Sequence, residues 1–564
     1  MENLPPEMRA LVVCFLLRPS DLLSVCLTCK TLRDASTPKL YSSVRLDLER
    51  PLRTLDRFAS PLNPGLEHVR KLEIYPKDSR CSVAAKQTIR IVIQTLPEHR
   101  LVELKLPTET ELDYDMLGLL ALRQKEILSI RFGICASSLG RILRLPACGP
   151  HWLERLVALQ LPTCVGPASL RGYGDLIGRC ADSLRELSFG SCGKLHELEL
   201  EDDDDIDDDD GSLQDDDDRD GLLSSLLFHH ITPRGPQPAL QLTRLTITGT
   251  DLCCAARTFM QYIDGRKLLH LNLRGCDNAN DMLSALLGDD PDIQLSLKSF
   301  AYDGTAISPL WIESLIQACG SLERWYLYTK KADVLLSSLT PLLKHADTLQ
   351  QLNIRIGLKN GVNYTDLDKL RAVSDLTQLR QLGLRFSAVQ LDEFFNRRWD
   401  DFEHALRLVA CLPKLRMLRC LTWPIPPHGF FRYLEDQGND DDEPLRTNAY
   451  DLGKLRYAAS LDLFATAVMQ RIARFKGENA NDSRMSVAHS PAIGRLPIFC
   501  VGDPQQAVQE ITSVGATFKL TEPVCYVAAK VVDVFGQDSV IAMRTPLEEI
   551  KFMEPQCDIL KFGW

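Results

Sequence analysis

The chain has 564 residues, 45% hydrophobic and 25% charged, an ordinary balance for a folded protein but a length beyond what one compact core usually covers. Its net charge of −11 is local, because Asp202 to Asp220 holds thirteen Asp and one Arg while the other residues sum to about +1. This excludes a global basic field of the kind that favours nucleic acid.

The longest apolar run near the start, Ala10 to Leu17, is too short to span a bilayer. Glu2, Glu7 and two prolines precede it, which makes a poor secretory signal. The 18 cysteines are therefore expected to be reduced thiols in a cytoplasmic or nuclear protein, with no membrane partner. Residues 3 to 41 read as helix, break, helix, helix. Pro5, Pro6 and Glu7 suit a first helical turn, and Leu11, Val12, Phe15 and Leu16 make an apolar face. Arg18-Pro19 ends that helix, and Ser20 or Asp21 can cap the next. Leu22, Leu23, Val25 and Cys26 are apolar again.

This segment resembles the F-box. Leu4-Pro5 and Glu7 match its opening, Asp21-Leu22-Leu23 its second helix, and Val25, Cys29, Leu32 and Leu40-Tyr41 the remainder. Met8 departs mildly, standing where Ile or Leu is usual. The resemblance implies docking on the Skp adaptor of a cullin–RING ubiquitin ligase through Leu4, Pro5, Met8, Leu11, Leu22, Leu23 and Leu32. A motif this small buries its own apolar face poorly, which also points to a partner. The plainer reading is a helical cap on whatever follows.

From Val69 onward an L-x-x-L-x-L pattern recurs, beginning at Val69, Leu101, Ile127, Leu156, Leu184, Leu242, Leu268, Leu297, Leu322, Leu349, Leu379 and Leu415. Nine of the eleven spacings lie between 25 and 32 residues, a period too regular for a merely leucine-rich chain. The last two apolar positions alternate with polar ones, as a half-buried strand requires, and helical stretches such as Asn280 to Leu287 and Pro309 to Cys319 follow. One such unit cannot bury its apolar face alone, so stacking into a solenoid is predicted. Cys135, Cys164, Cys192 and Cys276 each fall three residues after a strand motif, and Cys148, Cys180, Cys319 and Cys411 precede the next. This resembles the cysteine-containing leucine-rich repeats of F-box proteins. The implied fold is an α/β solenoid: a leucine-rich-repeat horseshoe over 46–425, preceded by a three-helix F-box over 1–45 and followed by a C-terminal extension.

The array has one large interruption, between Leu184 and Leu242, where the Asp run predicts a disordered acidic insert at 201–221. A match at Leu195 lies out of phase. After Cys420 the pattern stops. Residues 426–496 read as a helix (Leu452 to Phe475) followed by a flexible linker (Gly477 to Pro491), and 497–564 as a cap or small module of short β-like runs.

No catalytic, metal or cofactor site is expected. Cys26 and Cys29 have C-x-x-C spacing but no second pair, and fit buried helical positions. His229-His230 lacks a spaced acidic ligand set. Gly172, Gly174 and Gly178 do not have dinucleotide-loop spacing, and no P-loop or nucleophile elbow occurs. The Asp run lacks the spaced ligands and glycine turn of a calcium loop. With no catalytic signal beside it, the F-box resemblance implies a non-enzymatic substrate-recognition subunit of a Skp–cullin–F-box ligase. The other reading is a scaffold outside any ligase, whose acidic loop binds a basic partner. The polar strand positions are mixed at first (Glu73, Lys105, Arg131, Gln160, Ser188) and later basic and aromatic: Arg274, Arg324, Tyr326, Tyr328, Arg355, Arg385 and Arg419. The later set predicts a row of arginines on neighbouring strands that binds an acidic or phosphorylated target segment; the alternatives are a plain solvated face or docking of the protein's own Asp run.

Overall fold

The computed structural model describes residues 4–16, 19–48, 56–60, 62–75, 83–106, 111–131, 133–134, 154–163, 167–190, 227–231, 240–250, 252, 255–288, 293–304, 307–329, 339–356, 367–384, 400–421, 443–482, 496–502, 523–532 and 538–554. The chain forms two compact units, Met1–Leu297 with Asp303–Ile307, and Lys298–Tyr302 with Ser308–Trp564.

The first unit opens with three helices, α1 (Pro6–Cys14), α2 (Pro19–Cys26) and α3 (Lys30–Tyr41). Pro19 itself starts α2, where its missing N–H costs nothing, so Ser20 and Asp21 lie in the first turn instead of capping it. Cys29 is the N-cap of α3 and only half-buried, not a core helical position. Strand β1 (Ser43–Asp47) follows α3 almost directly and pairs in parallel with β2 (Lys71–Tyr75). A Cβ at Gly65 would overlap the Tyr41 ring, so glycine is needed where the chain passes the end of α3.

The parallel ladder continues through β3 (Glu103–Lys105), β5 (Ser129–Arg131), β7 (Ala158–Thr163), β8 (Glu186–Gly190), β9 (Arg244–Thr248) and β10 (His270–Arg274). β4 (Glu111–Leu112) and β6 (Gly133–Ile134) form a small parallel pair beside it. Helices α4 (Val83–Thr95), α5 (Tyr114–Arg123), α6 (Pro167–Cys180), α7 (Ala255–Tyr262) and α8 (Ala279–Leu287) lie between strands. Gly172, Gly174 and Gly178 are inside α6, not in a phosphate-binding loop. The second unit holds β11 (Ser299–Gly304) up to Tyr302, then α9 (Pro309–Ala318), β12 (Arg324–Thr329), β13 (Gln351–Ile356), α10 (Leu367–Ser374), β14 (Gln381–Leu384), α11 (Asp400–Ala410) and β15 (Met417–Cys420). β12 to β15 are again parallel and in register. Both units are thus parallel α/β repeats.

Every L-x-x-L-x-L match yields a strand that begins two residues after its first apolar position, as Leu101 precedes Glu103 and Leu349 precedes Gln351. The three apolar positions point inward: Leu184, Leu187 and Phe189 are at most 1% exposed. One backbone arrangement repeats at each step. A carbonyl just before a strand accepts two consecutive N–H groups from the next repeat, as Val102 O does from Leu128 and Ser129, and Gln350 O from Arg380 and Gln381. The cysteines serve the turns. Buried Cys276 donates its thiol to Ile247 O, and buried Cys180 to Leu176 O. Burial pushes Cys276 up to about 11, and Cys180 and Cys319 up to about 12, so all three stay protonated thiols. Cys411 is exposed. Cys135, Cys148, Cys164, Cys192 and the Leu195 match lie outside the described residues.

Side chains staple the repeats at a recurring position. Buried Gln124 accepts from Arg100 N and Leu101 N (both 3.1 Å) and donates to Pro97 O (2.9 Å). Buried His345 stands equally far beyond its own motif. It accepts from Leu322 N at Nδ1 (3.3 Å) and meets Ile316 O through Nε2 (3.0 Å). Ser183 and Thr348 donate to the carbonyls of the motif leucines Leu156 and Leu322.

β8 and β9 pair directly, Glu186 opposite Arg244, so the segment between them interrupts no strand pairing. The Asp202–Asp220 run within it is outside the described residues. The region after Cys420 differs from expectation. Helix α12 runs over Glu443–Asp482, so residues 477 to 482 are helical and not linker. β16 (Ile498–Val501) then pairs in parallel with β15, and β17 (Val524–Val532) and β18 (Asp538–Thr545) close the second unit's sheet as an antiparallel hairpin, followed by α13 (Leu547–Met553). The outer strand β18 is covered by α12: Thr466 Oγ1 accepts from Ala542 N (3.1 Å), Gln470 Nε2 donates to Val540 O (2.8 Å), and Asp462 pairs with Arg544 (3.2 Å). No described helix is long and apolar enough to cross a membrane.

Two outcomes follow from this packing. Deleting residues 202–220 changes stability by less than about 1 kcal/mol in chemical denaturation, since loop closure depends weakly on length. Burial lowers the pKa of His345; the Ile316 carbonyl opposes this and Lys344 adds to it. The unfolded chain therefore takes up the proton first, near 6.5. The stability supplied by neutral His345 is complete above that value and lost as pH falls below it. His345→Gln keeps the staple, as Gln124 does, and flattens the pH dependence of melting between about pH 7.5 and about pH 5.5.

Candidate docking surface

The N-terminal helices bury one set of apolar side chains and expose another. Val13, Leu22 and Leu32 are at most 9% exposed and form the interior of the trio. Met8, Leu11 and the C-cap Phe15 are 46%, 52% and 76% exposed and share one face of α1, while Leu23 in α2 and Leu27 in the turn just after it are 51% and 78% exposed. Five large apolar side chains exposed on two short helices and the turns that end them form the kind of surface that marks an interaction site. Among the residues expected to dock, Pro5, Met8, Leu11 and Leu23 are exposed, Leu4 is half-buried, and Leu22 and Leu32 are interior. Leu22 and Leu32 thus shape the helices and do not reach outward. Phe15 and Leu27, the most exposed of the set, were absent from that expectation. Phe15 was legible as part of the apolar face, whereas the exposure of Leu27 depends on where α2 turns into α3.

The strand face differs between the units. In the first, Arg45, Glu73, Lys105, Arg131, Gln160 and Ser188 form one register row. The row and its neighbours neutralise themselves. Lys105 pairs with Glu73, Arg131 reaches Glu103 (3.6 Å) and Glu186 (3.7 Å), and Arg45 lies 4.1 Å over the Tyr75 ring. Burial opposes ionisation of Glu73, but Lys105, Tyr75 and Arg45 together hold its carboxyl below the usual range. Arg274 is half-buried, with Nε donating to Asn272 Oδ1 (3.3 Å). Burial pushes it down to about 10, with Asp303 opposing, and it stays cationic at neutral pH.

In the second unit the described arginines Arg324, Arg355 and Arg419 do not share one row. Arg324 lies in register with Gln351, Gln381 and Met417, while Tyr326 lies with Asn353, Gly383 and Arg419. Parallel in-register pairing sorts residues by their position along each strand, and the arginines occupy different positions. Tyr326 and Arg419 are 7% and 3% exposed, so neither offers an open contact. Tyr326 hydrogen-bonds Gln351, and Arg355 stacks 4.2 Å over Tyr328, both half-buried. Arg385 lies outside the described residues. The cause of burial is the chain's own C-terminal segment. Ala301, Tyr326, Met417, Ile498, Cys500, Cys525 and Ile550 form one apolar cluster on this face, with Leu547 and Val527 against it. Ile550 and Leu547 belong to α13, which Arg416 ties further through Glu554 (3.3 Å). The sequence signal was faint: short continuous apolar runs in β16 and β17 and an amphipathic last helix.

The structure also gives His229-His230 an acidic neighbour that is remote in sequence. Asp175, 54 positions earlier in the chain, meets both imidazoles.

The fold and surface define a parallel α/β repeat protein with an exposed apolar helical face. No family profile matches the chain, and no curated protein is similar to it in sequence. Among solved structures it is similar to the one titled "Crystal structure of Rad7 and Elc1 complex in yeast", with 14% identity over 74% of this chain and 88% of that one, at a TM-score of 0.41.

If α13 holds the strand face closed, Ile550→Ala lowers stability by roughly 2–4 kcal/mol. It also raises binding of a hydrophobic dye and speeds amide exchange over 547–553. Dye binding equal to the unmodified protein would show that the helix is held by other contacts.

Proposed function

We propose that the protein is the substrate-recognition subunit of a Skp–cullin–F-box type ubiquitin ligase: α1 to α3 act as the F-box, and the leucine-rich-repeat surface takes a target protein. The observation that carries this reading is the exposed apolar set Met8, Leu11, Phe15, Leu23 and Leu27 on a helical trio joined directly to the first strand of a repeat sheet. A helical cap whose work ended at the first repeat would have no need of outward-facing leucines. The protein then contributes recognition, with ubiquitin transfer on other subunits, in the cytoplasm or nucleus. The target is met by the half-buried Arg324, Tyr328 and Arg355 of the second unit, with α13 setting how much of that face is available.

The test is co-purification of the full chain with a Skp adaptor. Met8→Asp, Leu11→Asp and Leu23→Asp, each at an exposed position, weaken adaptor binding by at least about 30-fold, the effect of losing one hot-spot contact. Far-UV circular dichroism stays unchanged. Leu22→Asp instead unfolds the trio, because it places a charge in its interior. Adaptor binding untouched by the exposed-face variants would overturn the proposal and favour the helical-cap reading.

A further inference from the structure

The His229-His230 pair follows the acidic insert in sequence and looks isolated there. The structure brings it to α6. His229 Nε2 lies 3.1 Å, and His230 Nε2 2.5 Å, from the same Asp175 Oδ1. Ligand atoms from all three residues lie within 4.8 Å of one another. Two imidazoles aimed at one carboxylate oxygen exceed what a simple ion pair requires.

Three features organise this cluster. The turn bearing the histidines is fixed from beneath, because its neighbours Leu227, Phe228 and Ile231 are buried. Phe228 packs on Phe259 and Tyr262, each at 4.9 Å between ring centroids. Gly178, one turn beyond Asp175 on α6, makes the approach possible, since a Cβ there would stand 2.9 Å from His230 Cβ. The ligand-bearing groups remain partly open, with side-chain exposures of 31% for His229, 58% for His230 and 35% for Asp175.

We propose that Asp175, His229 and His230 bind one borderline divalent transition-metal ion, zinc being the best fit. Two nitrogen donors and one carboxylate oxygen suit zinc and disfavour magnesium or calcium, which take oxygen ligands. A tetrahedral ion with ligands at 2.0–2.2 Å separates neighbouring donor atoms by roughly 3.3–3.5 Å. The His229–Asp175 distance is already close to this. His230, the most exposed of the three, swings outward by roughly 1 Å to make room. Water fills the fourth position on the open side. The ion clips the chain at His229-His230 onto a repeat helix.

The experiment is equilibrium dialysis of the full chain against zinc, comparing the unmodified protein with His229→Ala/His230→Ala, with His230→Ala alone and with Asp175→Asn. Exposed thiols such as Cys14 and Cys411 are alternative zinc ligands, so the readout is the difference between proteins. Cobalt substitution then shows whether the lost site has nitrogen and oxygen ligands or thiolates. The expected result is the loss of one metal equivalent in the double variant. Each single variant weakens that equivalent at least about 10-fold, the lower bound for disturbing even an outer partner of a metal ligand. The lost cobalt bands lack thiolate charge transfer, and circular dichroism is unchanged. His230→Ala and Asp175→Asn are surface changes, so they keep the test decisive should the double variant misfold. Equal zinc uptake and affinity in the single variants, or a lost band of thiolate type, would overturn the proposal.

Discussion

The constraint beneath everything else is the need of each repeat to bury its apolar strand face while leaving no backbone group orphaned. A strand of three to six residues cannot do this alone. The solution recurs along the ladder: an apolar triad goes inward and one carbonyl before the strand accepts two successive N–H groups from the next repeat, and at the Leu101, Leu156 and Leu322 repeats a polar side chain closes the remaining gaps. Gln124 and His345 show how narrow the requirement is. They differ chemically, yet both present an acceptor to a motif leucine N–H and reach a carbonyl of the preceding helix or turn. The position selects for two polar atoms at the right separation, not for a residue type. An unmade bond there would strand buried donors at a cost of about 1–3 kcal/mol each.

The parallel ladders of the two units give their polar faces different fates. In the first unit the face is a lattice of opposite charges, with Glu73, Glu103 and Glu186 meeting Lys105, Arg131 and Arg244. In the second it is apolar at its centre and covered by α13. A face that satisfies itself by ion pairs stays wet and open, whereas one lined by Met417, Ile498 and Cys500 must be covered, and the chain supplies the cover.

The sheet's last strand meets the opposite hazard. An open edge exposes a row of unpaired amides and carbonyls that would template association. Helix α12 answers with Asp462, Thr466 and Gln470, spaced four residues apart, against Arg544, Ala542 and Val540, spaced two apart. Four helical residues rise about 6 Å and two strand residues about 6.6 Å, so the two series stay in step. A helical stripe thereby takes the place of a neighbouring strand.

The sequence by itself determined the repeat. The spacing of Leu101, Ile127, Leu156 and their successors places every matched strand, because burial imposes a period on hydrophobicity that one chain records openly. It also showed the apolar faces of the first helices. It did not tell which of Leu22 and Leu23 turns inward, since adjacent apolar residues on a helix are separated only by what packs against it. Nor did it decide the arginines. Their rows depend on register, and the burial of Tyr326 and Arg419 depends on a helix more than a hundred residues away. The meeting of Asp175 with His229 and His230 belongs to the tertiary structure too, because contacts between residues far apart in the chain leave no periodic trace in it.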